Sequence, residues 1–404
     1  MADKAEASAV QVKTDLADLS IVVVSGLGLA LVALFLCVMP LVGDIAGGRD
    51  FVVFWATGQQ LVHHANPYDS DAMMRIEHSA GLPAKDGAMF MRNLPWSLPL
   101  VLPLGFIGLR VGAFLWSLLL LGSLAASVRM LRRMHGSPNN ALHWLGYSFV
   151  PALLCVIMGQ TTIFALLGYV LFLSLHRRRP FLAGSCLWLC ALKPHLFLTF
   201  GVVLLAWILV SRSYRVLAGA ATALAVSSAA VACIDPSVWS DYGRMMRTAE
   251  TEMMVRIPCV SVVVRNWMSP GTMWLTYLPA AVGCAWALGY FWSRRQRWDW
   301  MKDGSLVLLV SLLTAPYSWI YDDCAVIPAL LQGAYQTRIR PLLVILSLAF
   351  VLIDIELICG VKITSTFYLW TAPAWLAWYL CATGCKRMQT KEYCGDAEIA
   401  DPPQ

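Results

Sequence analysis

Long runs of apolar residues are the feature that most limits how this chain can fold. The runs at 19–42, 214–234 and 340–358 are each long enough to cross the roughly 30 Å hydrocarbon core of a bilayer, which takes about 20 helical residues. Hydrophobic residues make up 59% of the 404 residues and charged residues only 13%, which is too few charges for a soluble domain of this length. Because backbone groups inside a bilayer must bond within their own helix, we predict an all-α, polytopic membrane bundle.

We divide the chain into one membrane domain, residues 19–385, between polar tails at 1–18 and 386–404 that we expect to be disordered. The first apolar run lacks a clean small-x-small cleavage site after it, so we interpret it as a retained helix. Several runs between 141 and 211 are short enough to suit half-crossings or helices enclosed in the bundle. The apolar runs predict about twelve transmembrane helices: 19–42, 99–127, 141–158, 161–176, 180–193, 195–211, 214–234, 272–292, 303–317, 322–336, 340–358 and 366–385.

Basic residues in the short connections predict the orientation, because positively charged loops stay in the cytoplasm. One set of connections contains the segments RMLRR, HRRRP, SRSYR, SRRQRWDWMK, QTRIR and CKRMQTK. This places both termini in the cytoplasm and the long connections 43–98 and 235–271 on the outer side of the cytoplasmic membrane. Both exceed what is needed to join two helices, so we expect function on that side.

Composition and spacing exclude several kinds of partner. The net charge of +6 is explained by the cytoplasmic loop ends, so we predict no nucleic-acid partner. The sequence has no CxxC pair, no dense acidic cluster, no GxGxxG after a strand and no P-loop. We therefore predict no cofactor and no metal-ligand residues; the sequence does not require a divalent metal, and metal dependence stays open. His63 and His64 are adjacent and would diverge on a helix, which does not suit a metal site. The candidates for outer disulfides, which sequence alone cannot pair, are Cys233, Cys259, Cys324 and Cys359.

Four polar motifs fall on the predicted outer face. They are Arg49–Asp50 after the first span, Gly159–Thr161, Lys193–His195 and Pro316–Asp323. A helical bundle would gather these four motifs around one cavity beneath the two long outer loops. We therefore expect the functional site there.

Each motif also has a purely structural interpretation. Asp50 would cap the helix that follows it, Lys193 would extend to the lipid headgroups, and Gln160 would complete a turn. However, Lys193 precedes Pro194, which breaks a helix and leaves carbonyls free, and a cation at such a bend suits a phosphate.

The remaining charged candidates lie later in the chain. Arg265, in the segment VVVRNW close to the membrane, is the best candidate cation of the second outer loop, whose other arginines suit lipid headgroups. Asp322 and Asp323 are adjacent and would point to different sides of a helix, so we expect no paired-carboxylate dyad. One of the two would line the cavity.

Several segments resemble one known family. RDFVVFWATGQQLVHHANPYD looks like the first outer loop of the polyprenol-phosphate-sugar-dependent glycosyltransferases of family 87. NLPWSLPLVLPLGFI resembles that family's proline-rich approach to the second span, and MGQTTIFALLGYVLFL its Gly-Gln turn. AGSCLWLCALKPHLFL is similar to its Lys-Pro segment and TAPYSWIYDDCAVIPALL to its late Ser-Trp motif. The matching segments run in order from residue 49 to residue 335.

The resemblance implies a C-type glycosyltransferase fold with amphipathic helices in the first outer loop. It also implies a polyprenyl monophosphate sugar donor, typically the mannose derivative, and a catalytic carboxylate at the position of Asp50. Phe54 stands where a Tyr is commoner, and Tyr317 and Tyr321 occupy a segment in which relatives often carry His. These departures leave Asp50 untouched but put the role of the late motif in question.

The chemistry of such a transfer fits the polar motifs. We predict that Asp50 is the general base that takes the proton of the acceptor hydroxyl, with inversion at the anomeric carbon. A phosphate leaving group needs positive charge, which we assign to Lys193, Arg265 and Arg49. The residues that we expect to orient the substrates are Gln160, His195, Tyr321 and Asp322.

We therefore predict a membrane glycosyltransferase whose partners are a polyprenyl-phosphate sugar, a glycolipid or glycan acceptor, and membrane lipids. A secondary transporter or lipid flippase is the competing class, but it predicts polar groups near the bilayer midplane and no long outer loops. A glycan ligase that uses a diphosphate-linked donor differs from such a transferase mainly in its donor, and the spacing of the motifs does not distinguish the two.

Overall fold

The computed structural model describes residues 49–82, 89, 91–249 and 257–395, and within these ranges all regular secondary structure is helical. The predicted first span, 19–42, and the first tail lie outside the described residues. The α-helices are α1 Arg49–Val62, α2 Ser70–Ser79, α3 Leu98–Val101, α4 Leu109–Met134, α5 Trp144–Tyr147, α6 Val150–Met158, α7 Thr162–Leu175, α8 Pro180–Cys186, α9 Leu198–Ser211, α10 Tyr214–Ile234, α11 Val238–Ala249, α12 Val260–Met268, α13 Leu278–Arg294, α14 Gly304–Leu313, α15 Ile327–Gln336, α16 Arg340–Ile358 and α17 Thr371–Gly395.

Short 3-10 helices join or extend the α-helices at the points where the functional motifs lie. Two of them, Cys190–Leu192 and Pro194–Phe197, flank Lys193, and a third, Ile320–Val326, precedes α15. The others are Pro95–Ser97, Leu102–Phe106, Met273–Tyr277, Arg295–Arg297 and Thr366–Trp370.

Four helical segments of the described chain are long and apolar enough to cross a membrane. They are α4, Pro194–Ser211, α10 and α16. The predicted count of twelve crossings is therefore not confirmed. The remaining apolar helices are shorter; α7, for example, has 14 residues, or about 21 Å at 1.5 Å per residue, and most of its side chains are buried. Such helices suit the interior of a bundle.

The predicted segment 99–127 is two helices and not one. Pro95–Phe106 forms α3 with its flanking 3-10 turns, the backbone is extended at Ile107 and Gly108, and α4 begins at Leu109. Prolines recur at positions 95, 99 and 103 and remove backbone donors, which explains why a continuous helix does not form there. At the other end of the chain, α17 continues to Gly395, beyond the predicted end of the last span at 385 and into the predicted tail.

Helix α1, for which the resemblance implies an amphipathic helix, is buried on nearly all sides in this structure. A Cβ added at Gly58 would lie 2.6 Å from the carbonyl oxygen of Val101, and one at Gly105 would meet the Gly58 carbonyl. The two glycines thus bring two backbones together, and the Gln59 side chain donates to the Gly105 carbonyl at 2.9 Å. Amphipathic character is found in α2, which buries Met73 and Glu77 and exposes Arg75.

Helix α7 connects the two ends of the bundle. It packs against α4, α8 and the 3-10 helix Ile320–Val326, begins at Thr162 beside Lys193 and Asp322, and ends at Leu175 beside His176. We name the two ends of the bundle the Lys193 end and the Arg212 end, after the C-cap residue of α9.

Candidate functional site at the Lys193 end

A buried ion pair lies at the centre of the Lys193 end. Lys193 is the residue between the two 3-10 helices, held there by Pro194, and its Nζ donates to Oδ1 of Asp322 at 2.7 Å. The side chains of Lys193 and Asp322 are 10% and 0% exposed. Each charge compensates the desolvation of the other, so removing either partner alone would leave an unpaired buried charge.

Asp322 is fixed by two further hydrogen bonds. The Thr162 hydroxyl donates to its Oδ1 at 2.6 Å, and the backbone N–H of Trp319 donates to its Oδ2 at 3.0 Å. With both oxygens bonded and no exposed surface, this carboxylate holds Lys193 and Thr162 in place. The substrate-orienting role of Asp322 stays a prediction; in this structure its carboxylate contacts Lys193, Thr162 and the backbone of Trp319.

Asp323 faces a different set of partners, as the sequence predicts for adjacent acids. Its Oδ2 accepts from Nε1 of Trp375 in α17 at 2.8 Å. The two neighbouring carboxylates therefore anchor different helices and do not form a catalytic dyad.

The turn Gly159–Thr161 brings α1 to the site. Gly159 ends α6 with φ +75°, a left-handed conformation that favours glycine, and a Cβ there would lie 2.6 Å from Cβ of Phe51. Nε1 of Trp116 donates to the Gly159 carbonyl at 2.7 Å, and the Trp116 ring packs on Phe51 with a centroid distance of 6.2 Å. The first turn of α1, which contains Asp50, is thus held against this turn.

Tyr321 links Asp50, Gln160 and Lys193. Nε2 of Gln160 donates to the Tyr321 hydroxyl at 3.4 Å, and Nζ of Lys193 lies 5.0 Å from the centre of the Tyr321 ring. Burial raises the pKa of the Tyr321 phenol well above its usual value, and the negative charges of Asp50 and Asp322 raise it further. All four predicted polar motifs therefore meet around one ring.

Two polar side chains beside this cluster have buried atoms without a hydrogen-bond partner among the described residues. They are Nε2 of His195 and Oγ1 of Thr161. The His195 ring stacks on Tyr317 with centroids 3.9 Å apart, so its orientation is fixed. Buried polar atoms are normally bonded, and unsatisfied ones at the edge of a site are suited to hydroxyl or phosphate groups of a substrate.

Arg92 is a cation that sequence reasoning missed. Burial lowers the pKa of its guanidinium, while electrostatic interactions with Tyr317 and Tyr242 act in the opposite direction, which places Arg92 near the Tyr317–His195 stack. Its segment is attached to the Lys193 bend: Nδ2 of Asn93 donates to the Leu192 carbonyl at 3.0 Å.

The attachment continues at Trp96, whose Nε1 donates to the Ala191 carbonyl at 2.8 Å. The carbonyls of Ala191 and Leu192, in the bend before Pro194, thus accept hydrogen bonds from side chains of the proline-rich loop. The signal that would have found Arg92 is its position directly before that loop, which was interpreted only as an approach to the second span.

The other predicted phosphate-binding cations are placed differently. Arg265 lies in α12 and is 1% exposed; its guanidinium donates to Oδ1 of Asn266 at 3.1 Å and to Sδ of Met273 at 3.3 Å. The backbone of Arg49 begins α1, but its side chain lies outside the described part of the structure. His63 and His64 are both exposed at the end of α1, and the four outer cysteines are free thiols.

Comparison with known proteins gives one match. The model of glycosyltransferase family 87 matches residues 94–316. No curated protein and no solved structure matches the chain. The matched range contains Gln160, Lys193 and His195, whereas Asp50 precedes it and Asp322 follows it. Since the range covers more than half of the chain, the resemblance is confirmed: the chain belongs to glycosyltransferase family 87 and is a membrane glycosyltransferase.

Proposed function

We propose that this protein transfers a sugar, with mannose as the first candidate, from a polyprenyl monophosphate to a lipid or glycan acceptor. The reaction takes place at the outer face of the cytoplasmic membrane, with both termini in the cytoplasm. The observation that carries the proposal is the meeting of the Asp50 turn of α1, the Gln160 turn and the Lys193–Pro194 bend around Tyr321. Family membership favours transfer over transport, and the donor and mechanism are our inference.

In the proposed reaction, one bond forms and one breaks at the anomeric carbon. The acceptor hydroxyl oxygen attacks that carbon while the bond to the phosphate oxygen breaks, so a β-linked donor gives an α-linked product. The carboxylate of Asp50 takes the hydroxyl proton, and the polyprenyl phosphate leaves with the bonding electron pair. Asp50 is partly exposed, so it can pass the proton on to water.

The leaving phosphate needs donors that are not already neutralised. Asp322 balances the charge of Lys193, so this ammonium still offers N–H donors but little net positive charge. We add Arg92 to the proposed donor site because it lies near Tyr317 and its neighbour Asn93 bonds the Lys193 bend; its guanidinium would bind phosphate oxygens as a bidentate donor. His195 and Gln160 would bind sugar or acceptor hydroxyls next to it, and Arg265 and Arg49 are kept as further proposed phosphate contacts.

The test of Asp50 as the base is Asp50→Asn in membranes supplied with polyprenyl phosphomannose and a lipid or glycan acceptor. Removing a general base lowers the rate by about 10²- to 10⁴-fold, so we expect at least a hundredfold loss of product. Asp71→Asn is the matched control, because it makes the same change at an exposed position of α2. Full transfer by Asp50→Asn would reject the assignment.

The same assay separates the donor classes. The wild-type protein is supplied with polyprenyl monophosphate mannose and, in a parallel arm, with a diphosphate-linked sugar. The proposal requires product from the monophosphate arm; product only from the diphosphate arm would identify a ligase-type reaction instead.

A further inference from the structure

A cavity lies at the Arg212 end of the bundle, away from Lys193. It has a volume of about 550 Å³ and lies where α7, α9 and α10 meet the segment that precedes α14. Its lining residues are His176, Arg177, Pro180, Trp207, Arg212, Ser213, Arg215, Trp298 and Trp300. A cavity of this size is a candidate ligand site, and its position away from Lys193 requires a separate explanation.

This cavity is separated from the Lys193–Asp322 pair by the length of a helix. Thr162, which bonds Asp322, begins α7, and His176, which lines the cavity, is the residue after its last position. The 14 residues of α7 span about 21 Å at 1.5 Å per residue. Helix α9 likewise runs from the 3-10 helix after Lys193 to Arg212. The cavity is thus a second site at the Arg212 end and not an extension of the first.

The lining carries an excess of positive charge. It contains three arginines and no carboxylate among the described residues. The nearby Asp299 pairs with Arg177 at 3.2 Å, which compensates one of the three charges. The ligand that such a lining favours is an anion, and guanidinium groups bind phosphate oxygens with matched geometry.

The other walls of the cavity are rigid and aromatic. Trp300 is 2% exposed and packs against Trp207 and Trp298 with centroid distances of 5.6 and 5.4 Å. Its indole nitrogen, Nε1, is buried and has no hydrogen-bond partner in the described part of the chain. Nδ1 of His176 lies 3.0 Å from the Leu173 carbonyl, an acceptor, which places the ring proton on Nδ1 and leaves Nε2 as an acceptor. These packed aromatic side chains give the cavity a fixed wall beside the three arginines, which are themselves exposed.

Exposed apolar side chains lie close in sequence to the residues that line the cavity. Phe181 follows the lining residue Pro180, Leu209 and Val210 precede Arg212, and Tyr214 and Leu217 flank Arg215; all five are exposed. In a membrane protein, such side chains face lipid chains. A ligand that fits both features has an anionic head and apolar tails.

We propose that the cavity at the Arg212 end binds the phosphate headgroup of an anionic membrane lipid, held by Arg212, Arg215 and Arg177, with the lipid tails along α9 and α10. The positive-inside rule accounts for the charge of these loops but not for a cavity whose lining combines three arginines with three tryptophans. The site is independent of the donor site proposed above, because it lies at the other end of the bundle.

The experiment is native mass spectrometry of the purified, delipidated full chain in detergent, titrated with phosphatidylglycerol, with phosphatidylcholine and with inorganic phosphate. The variants are Arg212→Ala/Arg215→Ala and, as a milder change, Arg215→Gln alone. The matched control is Arg129→Ala/Arg133→Ala, which removes two exposed arginines of α4 outside the cavity. Size-exclusion elution and the melting temperature establish that each variant is folded.

We expect the double variant to bind phosphatidylglycerol at least tenfold more weakly, the single variant to show a smaller loss in the same direction, and the control to bind like the wild type. Binding of phosphatidylcholine should not differ between the proteins. Unchanged phosphatidylglycerol binding in both cavity variants, or an equal loss in the control, would overturn the proposal. Saturation by inorganic phosphate without preference for the lipid would show a free-anion site and would also overturn it.

Discussion

At the scale of single residues, the sorting of polar motifs by predicted membrane side identified most of the cluster. Gln160, Lys193, His195 and Tyr321 were selected because their motifs fall on one predicted face, and the structure brings their side chains together. The partner of Lys193 was not predictable, because Asp322 lies 129 residues away in sequence and Asp323 is an equally good candidate by type. Thr162 was missed because a threonine next to a turn has no local signal, and Arg92 was missed because the proline-rich loop after it was interpreted only as an approach to the second span.

The Lys193–Asp322 pair leads to a prediction that separates stability from activity. Lys193→Met leaves a buried carboxylate without its counter-charge, and breaking such a pair costs about 3–5 kcal/mol. In Lys193→Met/Asp322→Asn the charge is removed while the amide oxygen can still accept from Thr162, so we expect most of the stability to return. Transfer should stay impaired in both, with the KM for the donor raised more than that for the acceptor.

The measurements are the midpoint of thermal unfolding in detergent and steady-state transfer with each substrate varied. Additive losses of stability in the double variant would show that the two side chains are not energetically coupled. A donor KM equal to that of the wild type would remove Lys193 from the donor site.

At the scale of helices, the apolar runs located many of the helices, whereas the breaks between helices and the burial of each helix depended on tertiary contacts. The runs at 214–234 and 340–358 agree with α10 and α16 in both limits. The prediction of one continuous helix at 99–127 was wrong, because hydropathy alone does not show that the backbone is extended at Ile107 and Gly108. The burial of α1 was not predicted, because the backbone contact of Gly58 with Gly105 joins positions that no local sequence pattern connects.

Gly58→Ala tests whether that close contact positions the first turn of α1, which contains the proposed base Asp50. The new Cβ would lie 2.6 Å from the Val101 carbonyl oxygen and 2.7 Å from the Gly105 nitrogen, both of them backbone atoms that cannot rotate away. Overpacking of this kind costs about 1–3 kcal/mol, and a shift of α1 would also move Asp50. We expect a lower melting temperature and a reduced kcat.

Gly122→Ala in α4 is the control, since a Cβ at that position meets no atom within 4 Å. Alanine is favoured over glycine inside a helix by roughly 0.5–1 kcal/mol, so this variant should be as stable as the wild type or slightly more stable, with full activity. An equal loss in both variants would mean that the helix tolerates no substitution and that the contact at Gly58 is not special.

At the scale of the whole molecule, the bundle has two chemically different ends. The Lys193 end gathers buried polar groups, a carboxylate on α1 and the proline-rich loop, whereas the Arg212 end gathers exposed arginines around an aromatic cavity. The sequence predicted this division from the placement of basic residues, and it could be predicted because each loop contributes its charges independently of the packing. The long-range pairs within each end required the structure.

The proposed orientation, with the Lys193 end outside, is tested by reaction with a membrane-impermeant thiol reagent in spheroplasts. The background replaces the exposed Cys233, Cys359 and Cys381 with serine, and new cysteines are introduced one at a time at Arg75 in α2 and at Asn139 after α4, both exposed. If basic loops are held in the cytoplasm, the thiol of Arg75→Cys reacts in intact spheroplasts and that of Asn139→Cys only after permeabilisation. The reverse pattern would place Asp50 in the cytoplasm and the arginine-lined cavity outside, and it would contradict both the outer-face reaction and the topology from which it was inferred.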